Sequence, residues 1–322
     1  MPYSGRLRGV LGSTTMPSLT KRTTALVATA AVALTASATA ATAVNKTSGD
    51  TAKATTSSSV TQTAVTRPAA RKDTIGSVKK GAALWNQKGI TQSLKNSGVS
   101  WFYNWSSAPN GVKAPQGVDF VPMIWGADSV TTANLATARK NGDTLLGFNE
   151  PDLAEQSNMS VTKALNLWPK LEKTKMRLGS PAVAWGADQN GQWLDKFMKG
   201  AKKRGYRVDF ITLHWYGSDF NSKNATQQLK SYIQGVHQKY PKKKIWITEY
   251  SLINFGAGSK FPTATNQATF VKQSTAMLQK LSYVEHYSWF AFPTSTNGKD
   301  ETGLYRPGGT ATKAGKAYRA AG

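Results

Sequence analysis

Cysteine is missing from all 322 residues. No disulfide framework, thiol nucleophile or cysteine metal site is available, and stability has to come from an ordinary packed core. Histidine is nearly missing: His214, His237 and His286 are the full set, with no H-E-x-x-H or comparable spacing, so no metal site is expected. No G-x-G-x-x-G or phosphate loop follows an apolar run, which removes the usual motive for a nucleotide cofactor, and none is expected. Acidic residues are scarce, 17 Asp plus Glu against 41 Lys plus Arg. The excess is not confined to a tail: from Val78 to Gly322 there are 32 basic and 15 acidic residues.

The N-terminus has the pattern of an export signal. Arg6, Arg8, Lys21 and Arg22 precede an Ala/Thr-rich apolar stretch at 23–43 that ends in Ala41-Thr42-Ala43, an A-x-A cleavage pattern. The stretch is weakly apolar for a membrane span, so residues 1–43 are expected to be removed and the protein secreted. Residues 44–77 are rich in Thr, Ser and Ala and almost free of large apolar side chains, a composition that does not offset the entropy of ordering. They are expected to form a flexible linker, with the folded domain at 78–322.

Within that domain eight short apolar runs stand out: 81–85, 99–105, 118–125, 144–149, 177–185, 208–216, 244–250 and 285–292. Most are continuous rather than alternating, as in parallel strands covered on both faces. Helical patterns fall between most of them, at 129–141, 161–174 (with Ser160 as N-cap), 190–204, 223–239 and 265–281, with a last one near the C-terminus. The Pro/Gly-rich link at 106–117 carries no such pattern. Eight strands with helical crossovers in about 250 residues predict a single (β/α)8 TIM barrel; a doubly wound open sheet is the alternative.

The working face of such a barrel is the C-terminal end of its strands. Glu150 ends the fourth run, in "LLGFNEPD", and Glu249 ends the seventh, in "KIWITEYS". Strand alternation would put Leu146, Phe148 and Glu150 on one side, and Ile245, Ile247 and Glu249 likewise. Two carboxylates flanking a glycosidic bond can act as proton donor and nucleophile; their separation sets the stereochemistry. Trp105, Trp125, Trp185 and Trp215, with Trp85, lie at or near run ends, and Trp289 lies inside the last run. Aromatic faces there suit sugar rings. His214 reads as a hydrogen-bonded core residue, Tyr216 as a donor to the nucleophile, Asp152 as a cap or loop brace, and Lys242-Lys243-Lys244 as a solvated charge run on the opposite face.

"GFNEPD", "LHWYG" and "WITEYS", with "KKGAALWN", "WFYNW", "VPMIWG", "GSPAVAW" and "GKAYRAA" in order around them, resemble glycoside hydrolase family 128, the alkali-sensitive-linkage-type glucanases. The resemblance implies a retaining endo-β-1,3-glucanase of the clan whose acid/base and nucleophile follow strands four and seven. It makes Glu150 the acid/base and Glu249 the nucleophile, with Asn149 bonding the sugar 2-hydroxyl. Trp105, Trp125, Trp185, His214, Trp215, Tyr216 and Trp289 complete the expected substrate site. A hydrolase of another β-glycan, or a non-catalytic polysaccharide or cell-wall binder, is the alternative. The expected partner is β-glucan, with the positive charge suited to an anionic cell-wall surface, no nucleic acid, and a monomeric chain.

Overall fold

A computed structural model describes residues 75–76, 78–256, 258–295 and 299–321. The expected signal segment 1–43 lies outside the described residues, as does the expected linker except for Ile75 and Gly76. Ile75 is half-buried against the barrel's inner cluster, so packing begins a little ahead of the expected boundary at 78.

All eight apolar runs contribute strands: β1 (Lys80–Ala83), β2 (Trp101–Tyr103), β3 (Asp119–Phe120), β4 (Thr144–Leu145), β5 (Arg177–Leu178), β6 (Phe210–Gly217), β7 (Lys244–Leu252) and β8 (Val284–Trp289). Every pairing between them is parallel, in the order β3-β2-β1-β8-β7-β6 and, separately, β4-β5. Isolated bridges join these two sheets. Met123 pairs with Leu146, Gly179 with Phe210, and Val183 with Leu213, closing an eight-stranded ring.

Around it lie α1 (Ile90–Ser97), α2 (Thr132–Asn141), α3 (Val161–Glu172), α4 (Trp193–Lys203), α5 (Ser222–Lys239), α6 (Ala264–Lys280) and α7 (Lys313–Ala320). Ser160 caps α3 as expected, accepting from the Lys163 amide, and Thr131, Asn221, Thr263 and Thr312 cap α2, α5, α6 and α7 in the same way. The link after β2 holds no helix. The unexpected element is α1, whose buried stripe is Ile90, Ser93, Leu94 and Ser97; with two small polar residues in it, the apolar period is faint.

The core has two layers. Between strands and helices pack Leu145, Phe148, Trp168, Ile245, Ile247, Tyr250 and their neighbours. Inside the ring pack Ala83, Trp101, Tyr103, Val121, Met123, Leu146, Phe210 and Trp246. Four large rings share that space, and Trp101 fits because β1 contributes glycine: a Cβ on Gly81 would lie 2.2 Å from the Trp101 indole. At the N-terminal floor Arg177 pairs with Glu285 at 2.5 Å, Glu285 also accepts from the Trp246 indole at 2.7 Å, and Arg207 pairs with Asp209. The lysine run does more than meet solvent. Lys243 donates to the Val208 carbonyl and Lys244 to the Ser282 carbonyl, while Lys79 caps the end of α6 through Leu278, Gln279 and Leu281.

Candidate active site

Both glutamates reach the mouth, and neither does so by plain alternation. In β7, Trp246 points into the barrel while Ile245 and Ile247 face the helices. Strict alternation would send Glu249 outward with them. The pairing with β6 shifts by one residue there: Leu213 faces Ile247, but His214 faces Glu249. An extra residue in one strand inverts the phase beyond it, and bulges of this kind re-aim side chains next to functional sites. In β4 and the chain after it, Leu146 is inside the barrel, whereas Phe148 is outside against Trp168. Glu150 then takes a left-handed backbone, φ 39°, with its amide bonded to the Ala182 carbonyl at 2.7 Å. A non-glycine residue in that region is strained, and such strain concentrates at sites of function.

Glu249 is 4 % exposed and cradled by three donors. Tyr103 donates to Oε1 at 3.0 Å, the Trp105 indole to the same oxygen at 2.8 Å, and Tyr216 to Oε2. Trp105 also has a left-handed backbone, φ 58°. Glu150, 8 % exposed, meets His214 Nδ1 at 2.8 Å through Oε1. The imidazole is fully buried, with its Nε2 3.5 Å from Glu249 Oε1 and without a hydrogen-bond partner. One donor atom from each of Glu150, His214 and Glu249 lies within 4.8 Å of the others. The trio is where potential metal donors converge among the described residues. Glu150 Oε1, His214 Nδ1 and both oxygens of Glu249 are already engaged, so a cation bound through them would have to displace this network.

Burial pushes the Glu150 carboxyl above the ordinary carboxylate range, helped by the charges of Glu249 and Asp152 and opposed by the His214 hydrogen bond. Burial alone would push the His214 imidazole down, but Glu249, Glu150 and Asp152 outweigh it, and its pKa is raised. The proton between Glu150 and His214 therefore stays in the site well into the range where a free carboxyl would have lost it. Burial, reinforced by the Glu249 charge, raises the Tyr103 and Tyr216 phenols far above their usual value, so both remain O–H donors.

Of the expected aromatic platforms, Trp125 is half-buried against the inner cluster and Trp185 is 43 % exposed, following β5. Trp105 joins the site as a hydrogen-bond donor to Glu249 rather than as a free face. Two expectations are corrected. Trp215 points out of the barrel and stacks on Phe270 of α6 at 5.8 Å, because it is out of phase with His214 and Tyr216. Trp289 is fully buried, packs on Tyr250, Phe270 and Tyr318, and donates its indole N–H to the Thr302 carbonyl, leaving no surface for a sugar. Asn149, 4 % exposed, donates to Gln156 Oε1 at 3.1 Å, and its own Oδ1 has no partner. Asp152 braces the loop after β5, accepting from the Ala184 amide at 3.0 Å. Sequence reasoning missed Tyr103, and Phe290, whose ring edge-packs on Trp105 and Tyr216. The signal for Tyr103 was present in "WFYNW": Trp101, Tyr103 and Trp105 alternate on the inner face of β2.

A family model described as glycosyl hydrolase catalytic core matches residues 81–318. A crystal structure of a GH128 (subgroup I) endo-β-1,3-glucanase from Amycolatopsis mediterranei, in complex with laminaripentaose, is 54 % identical, with TM-score 0.73, over 77 % of this chain and 100 % of that one. The chain belongs to glycoside hydrolase family 128. It is a glycoside hydrolase, and its described residues form the barrel of that family. A GH128 (subgroup III) curdlan-specific exo-β-1,3-glucanase from Blastomyces gilchristii, in complex with glucose, is 31 % identical, with TM-score 0.59, over 75 % of this chain and 97 % of that one. Alkali-sensitive linkage protein 1 of Schizosaccharomyces pombe is 30 % identical over 211 residues, which are 63 % of this chain. The match spans only 36 % of that protein's length.

Proposed function

We propose that this family 128 enzyme cleaves β-1,3-glucan internally by double displacement with retention, and that it does so as an exported protein. The observation that carries the mechanism is the closeness of the two carboxylates. Oxygens of Glu150 and Glu249 approach within 4.8 Å. Retaining pairs stand about 5–5.5 Å apart, whereas inverting pairs need about 6.5–9.5 Å to admit a water. Glu150, held protonated by burial, gives its proton to the glycosidic oxygen while Glu249 attacks the anomeric carbon. The leaving sugar departs, and Glu249 becomes a neutral ester. With that negative charge gone, the pKa of Glu150 falls and it takes a proton from water, which attacks the same carbon from the vacated side. Tyr103, Trp105 and Tyr216 orient Glu249 and stabilise its negative form before attack and after release. The Asn149 side chain, with its unpartnered Oδ1 beside Glu150, suits a sugar hydroxyl. Internal cleavage and the β-1,3 linkage rest on likeness to the 54 % identical endo-β-1,3-glucanase; the 31 % identical exo-acting relative sets the contrasting expectation. Export rests on the pattern at 1–43.

Reducing-sugar release from laminarin, curdlan, mixed-linkage glucan, cellulose and mannan tests the substrate. NMR of the first product tests the stereochemistry. A ladder of β-1,3 oligosaccharides with the β-anomer formed first is expected. The α-anomer first would overturn retention, glucose alone would overturn internal cleavage, and faster action on cellulose or mannan would overturn the linkage. Sequencing the N-terminus of the protein recovered from culture medium tests export.

A further inference from the structure

The charge of this chain is segregated by face. Helices α1, α2, α5, α6 and α7 contain no acidic residue at all. The acids of the other two are already engaged: Asp195 of α4 is buried between Lys199 and Lys239, and Glu172 of α3 accepts from the Arg207 amide. Most cations of the same helices are exposed, Lys230 and Lys239 of α5 being half-buried, and on two helices they stand in rows. On α4, Lys196, Lys199 and Lys203 follow at three and four residues; on α7, Lys313, Lys316 and Arg319 follow at three. Where α6 meets α7, Lys272, Lys313 and Lys316 surround an open groove of about 360 Å³ floored by Thr265, Ala268 and Ala317. Among the described residues none of those three lysines forms an ion pair. One side of the mouth is the reverse. The segments after β3, β4, β5 and β6 carry Asp128, Asp152, Glu155, Asp188 and Asp219 and no Lys or Arg before the next helix, whereas those after β1, β2, β7 and β8 carry Lys88, Lys113, Lys260, Lys299 and Arg306.

We propose that the lysine-lined outer wall, from α4 round to α7, is a docking surface for an acidic polysaccharide bearing about one carboxylate per sugar, which holds the enzyme with its mouth free. A neutral glucan gives no reason for such a wall, and the acidic side of the mouth, after β3 to β6, repels the polyanion that the wall attracts. Cations three or four residues apart on a helix stand about 5–6 Å from one another. That spacing suits a polymer charged once per sugar ring. It is far sparser than duplex DNA, with one charge per about 1.7 Å. Among the described residues of α4 to α7 no aromatic is exposed for bases to stack on. Being lysine rather than arginine, the contacts are hydrated point charges without fixed pairing geometry, so the enzyme is retained yet free to shift along the polymer.

The test uses the full chain and polygalacturonate-coated beads, with curdlan and duplex DNA as comparison ligands and soluble laminarin as an independent check on catalysis. Wild type should be held by polygalacturonate at low salt and released as salt rises. Replacing Lys196, Lys199 and Lys203 by Gln, or Lys272, Lys313 and Lys316 by Gln, should each weaken retention at least fivefold, and both together more. Laminarin kcat/KM should stay within twofold of wild type, since these are exposed side chains that bond to no residue of the site. Four results would overturn the proposal: no retention at low salt, variants that bind like wild type, competitive inhibition of laminarin hydrolysis by soluble polygalacturonate, or tighter binding of DNA at equal salt. Loss of laminarin hydrolysis in wild type would fall on the catalytic reading instead and leave the binding result standing.

Discussion

The two ends of the barrel bury the same kinds of group to opposite effect. At the floor the half-buried carboxylate of Glu285 has Arg177, and the buried one of Asp209 has Arg207. Arg177 also lies over the Phe210 ring at 4.6 Å. At the mouth two carboxylates within 4.8 Å share one imidazole, and among the described residues neither has a lysine or arginine. Paired charges at the floor are balanced, although Oδ1 of Asp209 has no hydrogen-bond partner. Unpaired charges at the mouth shift the Glu150 carboxyl upward and leave Nε2 of His214 and Oδ1 of Asn149 without partners. At the mouth the left-handed residues Trp105 and Glu150 and the slip before His214 shape the site itself. A buried ionic network is thus a sign of reactivity only where its charges are left unbalanced.

The largest break in this comparison comes from the mouth. Glu249→Gln should lower turnover by several orders of magnitude while the melting temperature holds, because the covalent step disappears and no core packing is touched. Near-wild-type turnover would remove Glu249 from the mechanism. The floor should answer in the opposite currency. Arg177→Ala strands Glu285 in a half-buried site and should cost about 3–5 kcal/mol in denaturant unfolding, with kcat of the folded fraction nearly unchanged. A collapse of kcat at full stability would deny the floor its structural role.

Finer variants sharpen the contrast. Tyr216→Phe deletes one of three donors to Glu249, a hydrogen bond to a charged group worth about 1.5–3 kcal/mol, so kcat/KM should fall roughly ten- to a hundredfold. An unchanged kcat/KM would mean that Tyr103 and Trp105 suffice. Trp185→Ala should weaken oligosaccharide binding by about 1 kcal/mol, roughly fivefold, and leave the melting temperature alone, as its ring is 43 % exposed. The smallest effect is on pH. The negative charge of Asp152 raises the Glu150 pKa, so Asp152→Asn, which keeps an oxygen for the Ala184 amide, lowers it. Glu150 must start protonated, and the alkaline limb of kcat/KM should move to lower pH by less than about one unit. A limb that moves upward, or not at all, would break the link between Asp152 and Glu150.

The strands, their parallel sense, the closure into a barrel and the glutamates at the ends of the fourth and seventh runs were legible in the sequence. Continuous apolar runs separated by helical periods leave few other ways to bury so much surface. The alternation argument reached the right ends by a wrong route. Period two placed Phe148 with Leu146 and Glu249 with Ile247, and the fold separates both pairs. A bulge and a left-handed residue carry no local mark, since they depend on how neighbouring strands register once the ring closes. The same reason sorted the tryptophans. By composition Trp105, Trp185, Trp215 and Trp289 are alike, yet one holds Glu249, one stands at the surface and two pack against Phe270. Sequence alone determined which residues could do the chemistry, because side-chain type and strand order are written in it. Tertiary structure decided which of them meet, because phase, burial and unbalanced charge exist only after residues far apart in the chain are brought within a few ångströms.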